Sequence, residues 1–72
     1  MLRTNPEVGE TFLLKSSAGG LTIREYKVVS RGRMKFDGKW HESVNYISTK
    51  EDSDGTIYTR TLADFKQSFK RP

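Results

Sequence analysis

Few residues of this chain have the chemistry to act on a substrate, and the first group to test is the tripeptide His41-Glu42-Ser43. A base, an acid and a hydroxyl in a row carry the ingredients of a nucleophilic relay. Consecutive strand residues, however, point to alternate faces and cannot pass a proton along, so His41 reads as a surface histidine beside Trp40. One histidine and no cysteine leave too few nitrogen and sulfur ligands for zinc. The acidic turn KEDSDG, residues 50–55, holds Glu51, Asp52 and Asp54 but lacks the downstream glutamate of an EF-hand loop, so a solvated turn is expected. Gly19-Gly20 precedes a strand-like segment instead of a helix, which excludes a phosphate cradle of the Walker or dinucleotide-binding kind. No paired groups suited to general acid and base work stand out. The chain reads as non-enzymatic, with no cofactor and no metal.

What remains is positive charge beside aromatic rings. The stretch SRGRMKFDGKWH, residues 30–41, sets Arg31, Arg33, Lys35 and Lys39 around Phe36 and Trp40. From Arg24 to Lys39, the only acids among the cations Arg24, Lys27, Arg31, Arg33, Lys35 and Lys39 are Glu25 and Asp37. Cations that reach phosphates, next to rings that stack on bases, are the two ingredients of sequence-tolerant single-strand binding by small barrels. The expected site is therefore Arg31, Arg33, Lys35, Phe36, Lys39 and Trp40, with the cations on phosphate and Phe36 stacking. The same residues suit a protein-docking surface, because Trp, Tyr and Arg dominate interface energies. That alternative describes a phage or bacterial accessory protein that binds and modulates a larger host protein. Plainer roles exist for each residue. Lysines and arginines keep a sheet edge from pairing with neighbours, and the single tryptophan of a small domain is more often needed for burial, which predicts Trp40 in the core.

These side chains must be positioned by a chain of 72 residues, room for a single small domain over 1–72 that buries only about 60% of its unfolded surface. With 33% hydrophobic and 31% charged residues, the composition leans away from a packed core, and eight spread aromatics pull it back. They are Phe12, Tyr26, Phe36, Trp40, Tyr46, Tyr58, Phe65 and Phe69. The formal net charge of +4 fits an acidic partner and ordinary solubility equally well. Without cysteine, a signal-like start or a long apolar run, the chain is read as soluble and cytoplasmic, with no membrane partner. A homo-oligomer, burying surface that a lone small domain exposes, is compatible with either class of partner.

Local signals describe a β-rich fold. A short β-prone run, Thr11 to Lys15, ends at the Ser-Ser-Ala-Gly-Gly loop at 16–20. Leu21 and Ile23 then differ in parity from Tyr26 and Val28, which predicts a bulge or bend near Arg24 and Glu25. Gly32 and Asp37-Gly38 punctuate the basic segment, and Asp-Gly marks a tight hairpin joining 33–36 to 39–49. Trp40, Val44 and Tyr46 share parity in the second of these strands. A further strand is expected over 56–61. Leu62, Phe65 and Phe69 recur at helical spacing behind Thr61 and Asp64, a weak capping box, and predict a short helix closing the chain. About five strands and one terminal helix point to a small SH3-like antiparallel barrel, with an OB-like one as the longer alternative.

The landmarks GETF, EYKVV, SVNY, IYTR and ADF, in that order between Pro6 and Phe69, resemble a bacterial and phage family of small domains with an SH3-like barrel. Thr61 stands where that family has a proline after the arginine. The resemblance implies the same barrel and carries no activity.

Overall fold

The computed structural model describes residues 2–15, 24–50 and 54–72. Five strands and one helix follow in order: β1 Thr11–Leu14, β2 Glu25–Phe36, β3 Lys39–Ser48, β4 Tyr58–Thr61, α1 Leu62–Ser68 and β5 Phe69–Lys70. All strand pairs are antiparallel, in the order β4-β3-β2-β1-β5. The edges β4 and β5 are not paired with each other, so the sheet is open and is not closed into a barrel. No helix of the described residues is long and apolar enough to cross a membrane.

Asp37-Gly38 makes the turn it signals. Asp37 has φ 53° and Gly38 φ 75°, the pair of left-handed residues of a type I′ turn, and Phe36 lies opposite Lys39. Gly32 does not break the strand. It lies inside β2 opposite Ser43, where a methyl group would come to 3.4 Å from Ser43 Oγ, so the expected second and third strands are one twelve-residue strand. The missing count is restored by β5, whose two residues occupy what reads in sequence as the end of the helix. Thr61 caps α1 as expected, its hydroxyl accepting from the Asp64 amide at 3.2 Å. Phe69 then leaves the helix in an extended conformation and pairs with Leu14.

A strand irregularity lies between Val28 and Ser30, with Val29 as the extra residue, while the bend expected near Arg24 and Glu25 would join Leu21 and Ile23, which lie outside the described residues. Leu21, Ile23, the loop at 16–20 and residues 51–53 of the acidic turn fall outside the described residues. The core is Leu2, Phe12, Val28, Val44, Tyr46, Phe65 and Phe69, with Leu14, Tyr26 and Leu62 packed against it. Its rings meet mostly edge to face, as their quadrupoles favour: Phe12 lies 5.2 Å from Phe65, and Tyr46 5.2 Å from Phe69, while Phe65 and Phe69 stack at 4.2 Å. The amino-terminal segment closes this core. Leu2 is buried and its amide donates to the Lys66 carbonyl, and Pro6, four residues on, is buried as well.

Candidate nucleic-acid interface

The register of β2 and β3 shows how the basic segment is presented. β4 pairs with β3 only from Ser43 to Tyr46, and β1 pairs with β2 only from Glu25 to Lys27. Among the described residues, the four residue pairs from Arg33↔Glu42 to Phe36↔Lys39 therefore have no third strand paired beside them. They form a two-stranded ribbon which, at about 3.3 Å per residue, reaches roughly 13 Å past the sheet.

The ribbon has two faces. Directly opposed residues of an antiparallel pair share a face, and neighbours along a strand alternate. Lys35 and Trp40, Arg33 and Glu42, Arg31 and Val44 are opposed pairs of one face, which runs back into the core at Val44. Phe36 and Lys39, Met34 and His41, Gly32 and Ser43 make the other. Val29 sets this division. Tyr26 and Val28 face the core before the extra residue, and odd-numbered positions continue that side after it, which turns Met34 and Phe36 outward.

Trp40 is not in the core. It is 66% exposed, and Phe36 is 59% exposed. The core is already filled by Phe12, Phe65, Phe69 and Tyr46, all of which lie nearer the middle of the sheet or on the terminal helix and strand. Since Trp40 is one pair from the turn, no element is stacked over it. Phe36 has one aromatic neighbour among the described residues, the His41 ring at 5.9 Å, and His41 Nε2 lies 3.2 Å from the Phe36 carbonyl oxygen. His41 and Glu42 are on opposite faces, which is the arrangement that denies a relay.

The cations divide as well. Arg31 is committed to the fold: its Nε donates to the Ser43 carbonyl at 3.2 Å and its Nη1 to the Pro6 carbonyl at 2.9 Å. It thus fastens the amino-terminal segment to the base of the ribbon, with Glu42 4.0 Å from its Nη2. Arg33, Lys35 and Lys39 have no side-chain hydrogen bond or ion pair among the described residues. The six expected site residues are therefore on one hairpin but in three situations. Arg33, Lys35 and Trp40 share one open face, Phe36 and Lys39 the other, and Arg31 braces the base.

Sequence reasoning did not single out the second arginine cluster. Arg60 Nε donates to Tyr46 Oη at 2.8 Å, and its Nη1 to Asp64 Oδ2 at 3.0 Å and Ser68 Oγ at 3.2 Å, while its guanidinium lies 5.4 Å from the centre of the Phe69 ring. Burial pushes the Tyr46 hydroxyl pKa up, and the hydrogen bond from Arg60 offsets this only in part. Arg60 joins β4 to α1 and β5 across the open side of the sheet. The spacing of Arg60 and Asp64, four residues apart ahead of a helix, was the available signal. Beside it, Met34, Phe36, Thr59, Arg60, Thr61 and Asp64 line a groove of about 370 Å³ on the Phe36 face.

Among the described residues, no group of three or more histidine, cysteine, aspartate or glutamate side chains is placed to hold a metal ion. Of the acidic turn, Asp54 is described: its carboxylate accepts from the Thr56 side chain and amide, and these bonds hold its pKa below the usual value. Comparison with family models, with curated proteins and with solved structures gave no match. The functional reading therefore rests on geometry.

Proposed function

We propose that this chain is a small non-enzymatic binding module whose β2–β3 ribbon grips nucleic acid. The observation that carries this reading is the exposure of Trp40 and Phe36 at the end of a ribbon whose cations Arg33, Lys35 and Lys39 have no acidic partner among the described residues. An unpaired cation gives its full attraction to a phosphate and releases that phosphate's counterions. An exposed ring offers a face to a base without first leaving a packed site. Arg31 is a brace in this scheme, and the phosphate contacts are Arg33, Lys35 and Lys39.

The frame is an SH3-like barrel in our reading. Supporting it are the strand order β4-β3-β2-β1-β5, the long β2 with an extra residue at Val29, and a helix bridging β4 to β5. A bulge in a long strand is the usual device for wrapping one sheet around a core.

A two-dimensional NMR titration with short single-stranded and duplex DNA at two salt concentrations tests the function. Salt-sensitive shifts confined to residues 33–42 are expected. Silence with both ligands rejects the proposal.

A second reading draws on the groove beside Phe36 and on the unpaired edge of β4. An accessory protein that modulates a larger host protein would dock there. Its signature is a stoichiometric complex that survives nuclease treatment.

A further inference from the structure

We infer that the ligand of the ribbon is duplex DNA entered through the major groove, an inference that rests on the reading of the ribbon as a nucleic-acid interface. A platform for a single strand needs its ring and its cations on one face, with the opposite face packed on the protein. This ribbon exposes a ring on each: Trp40 with Arg33 and Lys35 occupies one face, and Phe36 with Lys39 the other, where Phe36 also forms part of the wall of the groove that reaches Arg60 and Asp64. A ligand that contacts only one face leaves the other ring and its cation in water. A groove with two walls contacts both at once.

The dimensions select the groove. The free ribbon extends roughly 13 Å at about 3.3 Å per residue, enough to reach the floor of the B-DNA major groove, which is about 8.5 Å deep and about 12 Å wide and admits a two-stranded β-ribbon. The minor groove, about 6 Å wide in undeformed B-DNA, takes a ribbon only after it is pried open and the duplex is bent, at an energetic cost that the major groove does not impose. Duplex RNA is excluded by the same reasoning, because its major groove is too narrow for side chains to enter. The turn Asp37-Gly38 leads into the groove, with Phe36 and Lys39 facing one wall and Trp40, Lys35 and Arg33 the other, so that each ring meets base edges near the tip and the cations meet the phosphates above. Two acids lie on the hairpin, Asp37 in the turn and Glu42 at the base of the ribbon, opposite Arg33 and 4.0 Å from Arg31 Nη2.

The test is a calorimetric titration of the full chain with a short DNA duplex, the RNA duplex of the same sequence, and each separated DNA strand. The DNA duplex is expected to bind at least about tenfold more tightly than the others, and Phe36→Ala and Trp40→Ala are each expected to lower duplex affinity about tenfold, the loss of a centrally placed aromatic anchor. Both positions are exposed, so the thermal midpoint checks that the fold is kept. A duplex whose cytosines carry glucosylated hydroxymethyl groups, which fill the major groove, is expected to lose most of the binding. Tighter binding to a single strand or to duplex RNA, loss on substitution of only one ring, or full binding to the glucosylated duplex overturns the inference and leaves the nucleic-acid reading standing. Absence of binding to every nucleic acid overturns both.

Discussion

At the packed side of this molecule Arg60 lies over Phe69 and Arg71 over Phe12, and each arginine also meets an acid, Asp64 and Glu10 respectively. At the ribbon, Arg33, Lys35 and Lys39 stand near Phe36 and Trp40 and make no ion pair among the described residues, although Glu42 lies opposite Arg33. The residue types are the same and the outcome differs. Where a carboxylate satisfies the guanidinium, ring and cation become part of the fold. Where none does, both stay available to an outside anion. The contrast turns a composition argument into a structural one: positive charge next to aromatics is uninformative until the positions of the acids are known.

Substitutions that act on one region and spare the other test this contrast. The largest effect belongs to the packed side. Phe65 is fully buried against Phe12, Tyr46 and Phe69, and Phe65→Ala is expected to cost about 3–5 kcal/mol, measured by urea or thermal unfolding. In a domain this small that leaves little folded protein at body temperature. Reversing two ribbon charges, Lys35→Glu with Lys39→Glu, is expected to weaken nucleic-acid binding at least about a hundredfold, ~2.7 kcal/mol, while unfolding shifts by no more than about 0.5 kcal/mol. For the native chain, three phosphate contacts predict log K falling with log salt at a slope of about −2.7, roughly fortyfold between about 50 and 200 mM. A flat salt dependence breaks the comparison at its open end.

Arg60→Met comes next. It leaves the Tyr46 hydroxyl and Asp64 without their shared partner, and a loss of about 1–2 kcal/mol in unfolding free energy with unchanged nucleic-acid affinity is expected. Equal damage to both properties shows that the two regions are not independent.

How much of this was legible in the chain depends on the range of the signal. The Asp37-Gly38 turn, the Thr61 cap and the helix behind it are local devices, written within four residues of where they act, and the structure has them. The exposure of Trp40 is not local. It follows from where β4 stops pairing with β3 and from a core completed by Leu2 and Phe69 at the two ends of the chain. The division of the ribbon into two faces depends on one extra residue at Val29, and a Val-Val pair gives no hint of which residue is extra. Arg31 looks like its neighbours in sequence, and only the approach of Pro6 from a distant segment turns it into a brace.

Two smaller effects sharpen the picture. Gly38 has φ 75° with open space around its Cα, so Gly38→Ala costs conformational energy alone, about 1–2 kcal/mol. The paired ribbon then loosens, and a thermal midpoint lower by about 4–8 °C per kcal/mol is expected. The smallest effect is electrostatic. Hydrogen bonds from Arg71 and with the Glu7 backbone hold the Glu10 carboxyl pKa below the usual carboxylate value. A depressed carboxylate stabilises the fold above its unfolded pKa and loses that contribution as pH falls through the folded value. Acid titration of Glu10→Gln is therefore expected to show a slightly flatter stability curve below about pH 4.5, by a fraction of a kcal/mol for so exposed a pair. Stability of the native chain also declines in strong alkali. Tyr46, its pKa raised by burial, keeps its proton in the folded state at pH values where the unfolded chain has lost it.

The position of Trp40 also decides how this protein can be watched. As the only tryptophan, it sits in water at the end of the ribbon and not among the buried rings. Its emission is therefore expected near the red limit already in the native state, with little change in colour when the core melts. Tyrosine signals from Tyr26 and Tyr46, in edge contact at 5.3 Å, report the core instead. The intrinsic fluorescence of this chain is thus a built-in gauge of what touches the ribbon, and a poor thermometer of the fold.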